Sequence, residues 1–379
     1  MQEVLSGMHT ASRIRVLIVD DSAVMRSLLR SVVSTDPSLE VAGTASDGLS
    51  ALNALAVVRP DLVLLDVEMP VMDGLETLKQ MRERAPRMPI IMCSALTQRG
   101  AQVTIESLAS GASDYVAKAA GQANREAATQ ALAGELIPKI RALTTRRPVP
   151  FNARRLAQFP AAIAPRLTAR LATTPAAVVL GVSTGGPAAL DVVLPALPAS
   201  FPLPVFVVQH MPDLFTRQLA ERLNTRCALR VREAEEGMAI RSGHIYIARG
   251  NWHMKLTAAA VPGQPHTMHL DQAPQENHCR PSVDVLFRSA AQVYEGNILV
   301  AMLTGMGHDG LAGTRILYKL GATILAQDEA TSAVWGMPGA VVHEGLAHAV
   351  LPLRQISSEI LRLTAQPRSE ALLLRESAG

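Results

Sequence analysis

Short apolar runs that stop at an acid, a glycine or a histidine alternate along this chain with longer stretches of helical periodicity. Ile14–Val19, Val41–Ala45, Leu62–Leu65, Pro89–Cys93 and Tyr115–Ala117 are short, aliphatic and bounded by polar residues, which predicts buried strands. Between them, Ser22 is placed to cap a first helix, Leu49–Val58 reads as a second, and the Ala-rich Gln122–Leu143 closes the series. The same rhythm returns further on, with Ala177–Val182, Pro204–Gln209, His244–Ala248, Ile298–Leu303 and Thr323–Ala326 as strands. Met254–Ala258 and Thr267–Leu270, on either side of VPGQP, predict a β-hairpin. Strand and helix in alternation imply two doubly wound α/β domains with mostly parallel sheets, whose ligands sit at the carboxyl ends of the strands.

Between the two rhythms lies TTRRPVPFNARRLAQFPAAIAPRLTARLATTP, which has six arginines, five prolines and no acid. Prolines at this density forbid a long helix and mark a linker. The expected boundaries are 14–143 for the first domain, 144–174 for the linker, 175–365 for the second domain and 366–379 for a tail. The linker's charge also leaves open a docking strip for an acidic partner.

Composition narrows the picture. At 379 residues two domains are the natural expectation, and 48% hydrophobic against 18% charged residues suits globular cores. A net charge of +3 gives no reason to expect nucleic acid as a partner. Cys93, Cys227 and Cys279 are widely spaced, with neither a disulfide framework nor a zinc-like spacing. The first apolar run ends in Asp20-Asp21 without a cleavage signal, and no apolar stretch is long enough to span a bilayer. A cytoplasmic protein without membrane insertion is expected.

Candidate chemistry collects at strand ends. In the first domain Asp20 and Asp21 close the first strand and Asp66 follows the third. Carboxylates gathered at one sheet edge repel each other and call for a cation. Oxygen-only ligands suit Mg²⁺, which keeps waters and accepts a phosphate oxygen. Ser94 and Lys118, after the fourth and fifth strands, could hold further phosphoryl oxygens. In the second domain AVVLGVSTGGP contains a G-x-S-x-G elbow, which lifts a serine hydroxyl above a sheet. Ser183 closes that strand, His210 closes PVFVVQH, and Asp309 lies in TGMGHDG beyond ILVAM. If the strands are parallel, the three emerge at one edge, as a hydroxyl nucleophile, an imidazole base and an orienting carboxylate require. The order Ser, His, Asp differs from that of α/β-hydrolases.

IVDDSAVMR, LLDVEMPVMDG, IIMCSAL and GASDYVAK together resemble a response-regulator receiver domain, of flavodoxin-like fold. The resemblance implies that Asp66 is the phosphoacceptor, with Asp20 and Asp21 helping it to place Mg²⁺. It also implies that Ser94 and Tyr115 are a switch pair and Lys118 the phosphate-sensing cation. Ala119 stands where receivers usually have proline. GVSTGGP, VVQHMP, NHCRPSVDVLF, LTGMGHDG and WGMP, in this order behind a receiver, resemble the chemotaxis protein-glutamate methylesterases of the CheB family. By that resemblance Ser183, His210 and Asp309 are catalytic, and Thr184 and Met306 are accessory positions near an oxyanion hole. No cofactor is implied for the esterase step.

The same resemblance implies hydrolysis of glutamyl methyl esters on the cytoplasmic helices of chemoreceptors, with deamidation of receptor glutamines. A chemotaxis histidine kinase would be the phosphodonor. The unphosphorylated receiver would cover the esterase cleft, and phosphorylation of Asp66 would loosen it. His278-Cys279 before Arg280, Asn251-Trp252 before His253, and His308 depart from the family pattern. A receiver-gated hydrolase with another substrate and a non-enzymatic binding module remain as alternatives.

Overall fold

A computed structural model describes residues 13–118, 124–144 and 175–365. The chain divides into two units, Met1–Pro148 and Val149–Gly379. Most of the linker, the tail and Ala119 lie outside the described residues.

The first unit runs β1 (Ile14–Val19), α1 (Ala23–Ser34), β2 (Leu39–Ala45), α2 (Gly48–Val58), β3 (Leu62–Asp66), α3 (Gly74–Arg84), β4 (Ile90–Ser94), α4 (Gln98–Ala109), β5 (Asp114–Ala117) and α5 (Arg125–Thr144). Its five strands are parallel in the order β2-β1-β3-β4-β5. Polar residues after the strands start the helices, as the sequence pattern requires. The Ser22 hydroxyl accepts the Met25 N–H at 3.3 Å, and Asp47, Asp73 and Thr97 cap α2, α3 and α4 in the same way. β3 and β4 are buried along their whole length, which is why they read as continuous apolar runs without alternation.

The second unit contains β6 (Ala177–Val182), α6 (Gly186–Val193), β7 (Val205–Gln209), α7 (Asp213–Arg226), β8 (Arg230–Glu233), β9 (His244–Ile247), β10 (His253–Thr257), β11 (Thr267–Asp271), α8 (Val283–Tyr294), β12 (Ile298–Met302), α9 (Leu311–Lys319), β13 (Thr323–Gln327), α10 (Met337–His343), β14 (Ala349–Leu351) and α11 (Leu353–Thr364). Seven strands form a parallel sheet in the order β14-β13-β12-β6-β7-β9-β8. The hairpin expected around VPGQP is β10–β11, an antiparallel pair separate from that sheet. It packs on α8, where the buried Ser289 hydroxyl accepts the Leu256 N–H at 3.0 Å.

Topology places the site. From β6 the chain builds outward through β7 to β9, then returns to the other side of β6 with β12. The carboxyl ends of β12, β6 and β7 therefore lie side by side at the point where strand order reverses. Open α/β sheets leave a crevice there. Val283, Leu286 and Phe287 of α8 are buried in the core with Val179 of β6 and Val300 and Met302 of β12, so α8 is packed into the same core as these strands. No helix among the described residues is long and apolar enough to cross a membrane.

Candidate active site

Ser183 directly follows β6 and His210 directly follows β7, and the last pair in the β6–β7 register is Val182 with Gln209. The two residues thus occupy equivalent positions on adjoining strands, roughly 4.8 Å apart across the ladder. The His210 N–H donates to the Val182 carbonyl at 3.3 Å, and the Ser183 N–H donates to that of Thr304, beyond β12, at 3.0 Å. The buried Gln209 amide ties the two ends together, its Nε2 donating to the carbonyls of Ser183 (3.1 Å) and His210 (3.2 Å). Glycines make this crowding feasible. Gly185 has φ 77°, the left-handed region, and a Cβ there would collide with that of Ala333. A Cβ on Gly305 would lie 2.9 Å from that of Ser183.

Asp309 is buried in the loop between β12 and α9, and its Oδ2 lies 2.7 Å from Nε2 of His210. The same oxygen accepts the Val283 N–H at 2.7 Å. The other, Oδ1, accepts from Ser282 Oγ (2.8 Å), Asn277 Nδ2 (2.9 Å), Gly310 N (3.0 Å) and Asp284 N (3.2 Å). Ser282, Val283 and Asp284 are the first turn of α8. The carboxylate therefore satisfies N–H groups that the helix leaves open, and sits at the positive end of its dipole. Burial works against the charge on Asp309, but the His210 ring and the Val283 and Asn277 donors hold its carboxyl far below the ordinary carboxylate range. Burial likewise disfavours a cationic ring at His210. Asp309 and the Cys279 sulfur outweigh it and bring the His210 pKa up to about 9.

The structure thus joins His210 to Asp309 directly. It places Ser183 at the adjoining strand end, and the Ser183 hydroxyl makes no hydrogen bond among the described residues. Thr184 is buried at the entry to α6, its carbonyl accepting from Thr304 Oγ1 at 2.9 Å, and Met306 is 36% exposed in the loop after β12. Sequence reasoning assigned no role to Asn277, Ser282, Asp284, His253 or Gln209. Asn277 Nδ2 bridges Asp284 and Asp309, and buried His253 accepts the Ser282 N–H on Nδ1 at 3.3 Å. One signal was present: an aspartate within the apolar run VDVLF, on the buried face of a helix.

In the first unit Asp20 and Asp66 are buried and Asp21 is exposed. The Lys118 ammonium lies 2.8 Å from Asp20 Oδ2 and 2.7 Å from Asp66 Oδ1. Burial pushes the Asp66 carboxyl up to about 6, with Lys118 pulling it down and the Asp20 charge adding to the rise. Burial also disfavours the Lys118 cation, but the two carboxylates outweigh it and raise its pKa. Carboxylate oxygens of Asp20, Asp21 and Asp66 lie within 4.8 Å of one another, beside a cavity of about 290 Å³ lined by Asp21, Asp66, Glu68 and Lys118. Three carboxylates facing one ammonium leave net negative charge and hard oxygen donors, a set that fits Mg²⁺. The Ser94 hydroxyl is buried at the end of β4 and donates to the Ala95 carbonyl at 3.2 Å. The buried Tyr115 ring has the Lys139 ammonium 5.0 Å from its centroid.

Comparison with known proteins agrees in both halves. A model of the CheB methylesterase family matches residues 178–360, and one of the response regulator receiver domain matches residues 16–130. A protein-glutamate methylesterase/protein-glutamine glutaminase of Trichodesmium erythraeum is 44% identical over 351 residues, covering 92% of this chain and 99% of the relative. One of the same description from a Nocardioides species is 47% identical over 364 residues, covering 94% and 96%. A third, from Caulobacter vibrioides, is 46% identical over 353 residues, covering 91% and 97%. An α/β unit with an Asp–His pair at its strand reversal, a receiver unit ahead of it, and near full-length likeness to these hydrolases lead to one conclusion: the chain belongs to the CheB family of chemotaxis methylesterases.

Proposed function

We propose that this chain is a cytoplasmic, phosphorylation-regulated hydrolase of glutamyl methyl esters on chemoreceptor helices, with Ser183, His210 and Asp309 as its catalytic residues. The observation that carries the reading is the 2.7 Å pair of His210 and Asp309 beside the strand end that bears Ser183. Ser183 attacks the ester carbonyl as His210 takes its proton, and Asp309 orients the ring and stabilises its cation. Methanol leaves with that proton. Water then attacks the acyl-serine and releases glutamate, regenerating the hydroxyl. Backbone N–H groups around Thr184 and Met306 stabilise the oxyanion, each contributing about 2.7–4 kcal/mol in comparable enzymes. Glutamine deamidation follows the same course with ammonia as the leaving group.

In the receiver, Asp66 is the phosphoacceptor, fed by a chemotaxis histidine kinase, and Asp20, Asp21 and Asp66 hold Mg²⁺. The ion supplies charge neutralisation for phosphoryl transfer. Lys118 bonds the phosphoryl group, and Ser94 and Tyr115 report its arrival. The receiver restrains the esterase until Asp66 is phosphorylated. A near-complete switch takes about 5.5 kcal/mol of differential stabilisation. Charge-assisted bonds to a phosphoryl group supply about 1.5–3 kcal/mol each. Two to four new bonds are therefore needed.

The test is methanol release from methylated receptor membranes. Ser183→Ala is expected to abolish it in a protein that remains folded, and release near the wild-type rate would overturn the assignment.

A further inference from the structure

We propose that Cys279, His210 and Asp309 form a binding site for a soft divalent cation, best matched by Zn²⁺, whose occupation silences the esterase. The inference rests on the catalytic reading of His210 and Asp309 given above and adds an inhibitory ligand to that site. A ligand atom from each residue, including the Cys279 sulfur, lies within 4.8 Å of the other two. Tetrahedral zinc, with bonds of about 2.3 Å to sulfur and about 2.0–2.2 Å to nitrogen and oxygen, sets its ligand atoms about 3.3–3.6 Å apart. His210 Nε2 and Asp309 Oδ2, now 2.7 Å apart, would need to separate by about 0.6 Å, and the sulfur to close in by at most about 1.3 Å. Both are side-chain adjustments.

The thiol is held in place by a built turn. Glu276 and Cys279 exchange both backbone hydrogen bonds, 3.1 and 2.9 Å, across Asn277 and His278, which both have left-handed φ (52° and 61°). This is a two-residue hairpin turn of the tightest kind. It is pinned to α8 by a bidentate pair of Glu276 with Arg288, 2.7 and 2.5 Å. Asn277 Nδ2 anchors the turn again on Asp309. The sulfur therefore reaches the Asp–His pair as part of a preorganised loop, with its present bond, 3.3 Å to the Asn277 carbonyl, readily given up.

Thiolate, imidazole and carboxylate form a mixed donor set that favours zinc over Mg²⁺, and three protein ligands leave the fourth position to water. On binding, the cation displaces the thiol proton and any proton on the coordinating ring nitrogen, both to solvent. With Nε2 bound to the cation, the one proton left on the neutral ring sits on Nδ1, which then has no lone pair to take the Ser183 proton.

The experiment uses the purified full-length chain and Cys279→Ser. With Co²⁺ as the probe, wild type is expected to show a near-ultraviolet thiolate-to-cobalt absorption that saturates at about one equivalent. Zn²⁺ should displace it, excess Mg²⁺ should not, and Cys279→Ser should lack it. With each protein's own metal-free rate as its reference, Cys279→Ser should need at least about tenfold more Zn²⁺ than wild type for half-inhibition. A chelator should restore the wild type. Absence of the band, or equal zinc sensitivity in the two proteins, overturns the proposal. A saturated band with unchanged methanol release overturns the silencing. Failure of the underlying catalytic reading shows separately, as full metal-free activity in Ser183→Ala.

Discussion

Replacing Asp309 with asparagine probes the centre through a single change from oxygen to NH₂. Every group around the carboxylate is a donor: His210 and Val283 on Oδ2, and Ser282, Asn277, Asp284 and Gly310 on Oδ1. An amide keeps one acceptor, and the arrangement that sacrifices fewer bonds turns its NH₂ toward His210 and Val283. The ring then loses its acceptor. Burial, which by itself lowers ring basicity, is then opposed by the Cys279 sulfur without the carboxylate, and the His210 pKa falls from about 9 toward the ordinary 6.5.

The wild-type rise from 6.5 to about 9 corresponds to about 3 kcal/mol of preference for the cationic ring. Because the folded pKa is raised, that stabilisation is complete below pH 6.5 and disappears as pH climbs through about 9. The variant's deficit in unfolding free energy should thus be largest near pH 6, at most about 3 kcal/mol from this source, and shrink by pH 10. Activity should fall about 10⁴-fold, the loss expected when a triad imidazole is left in the wrong tautomer. In the wild type a neutral ring makes up about 1% of molecules at pH 7, so kcat/KM should rise about tenfold per pH unit up to about 9. Methanol release across pH, denaturant titrations and the His210 imidazole resonances report all three quantities. A variant with kcat within tenfold of wild type and a ring that still titrates near 9 would refute the reasoning.

Two further outcomes are expected. Gly185→Ala should destabilise the second unit by at least about 1–2 kcal/mol, since the residue holds a left-handed φ against Ala333, and should lower activity with it; thermal unfolding checks the first and methanol release the second. Asp66→Asn, or removal of divalent ions from the wild type, should abolish labelling by a small-molecule phosphodonor and any rise in methanol release that it produces, while leaving basal release intact.

Much of this was legible in the sequence because the informative residues close their strands. Ser183, His210 and Asp66 each stand at the end of a continuous apolar run, and in a parallel sheet that position alone fixes the edge at which they emerge. β8 and β14 escaped notice for the complementary reason. They are the two edge strands, Arg230–Glu233 with one fully buried residue and Ala349–Leu351 with none, so neither carries a core signal. The surroundings of Asp309 were also hidden. Its donors come from residues 277–284, brought to it by a tight turn and the first turn of α8, and local pattern does not encode contacts made across some thirty positions. Ser94 and Tyr115 could be named from the sequence only as candidates for a switch pair, while the Ser94 bond to Ala95 and the Lys139 contact of Tyr115 came only from coordinates.

The sheet order has a consequence for how the enzyme fails. Ser183, His210 and Asp309 hang from β6, β7 and β12, which occupy the middle of seven strands, with β9 and β8 outboard on one flank and β13 and β14 on the other. Thermal fraying begins at flanks, where a strand has a neighbour on one side only. Such openings can come and go without displacing these three residues, whereas moving them apart means tearing the ladder at its centre. Under the proposed catalytic assignment, inactivation and cooperative loss of the domain are then one event.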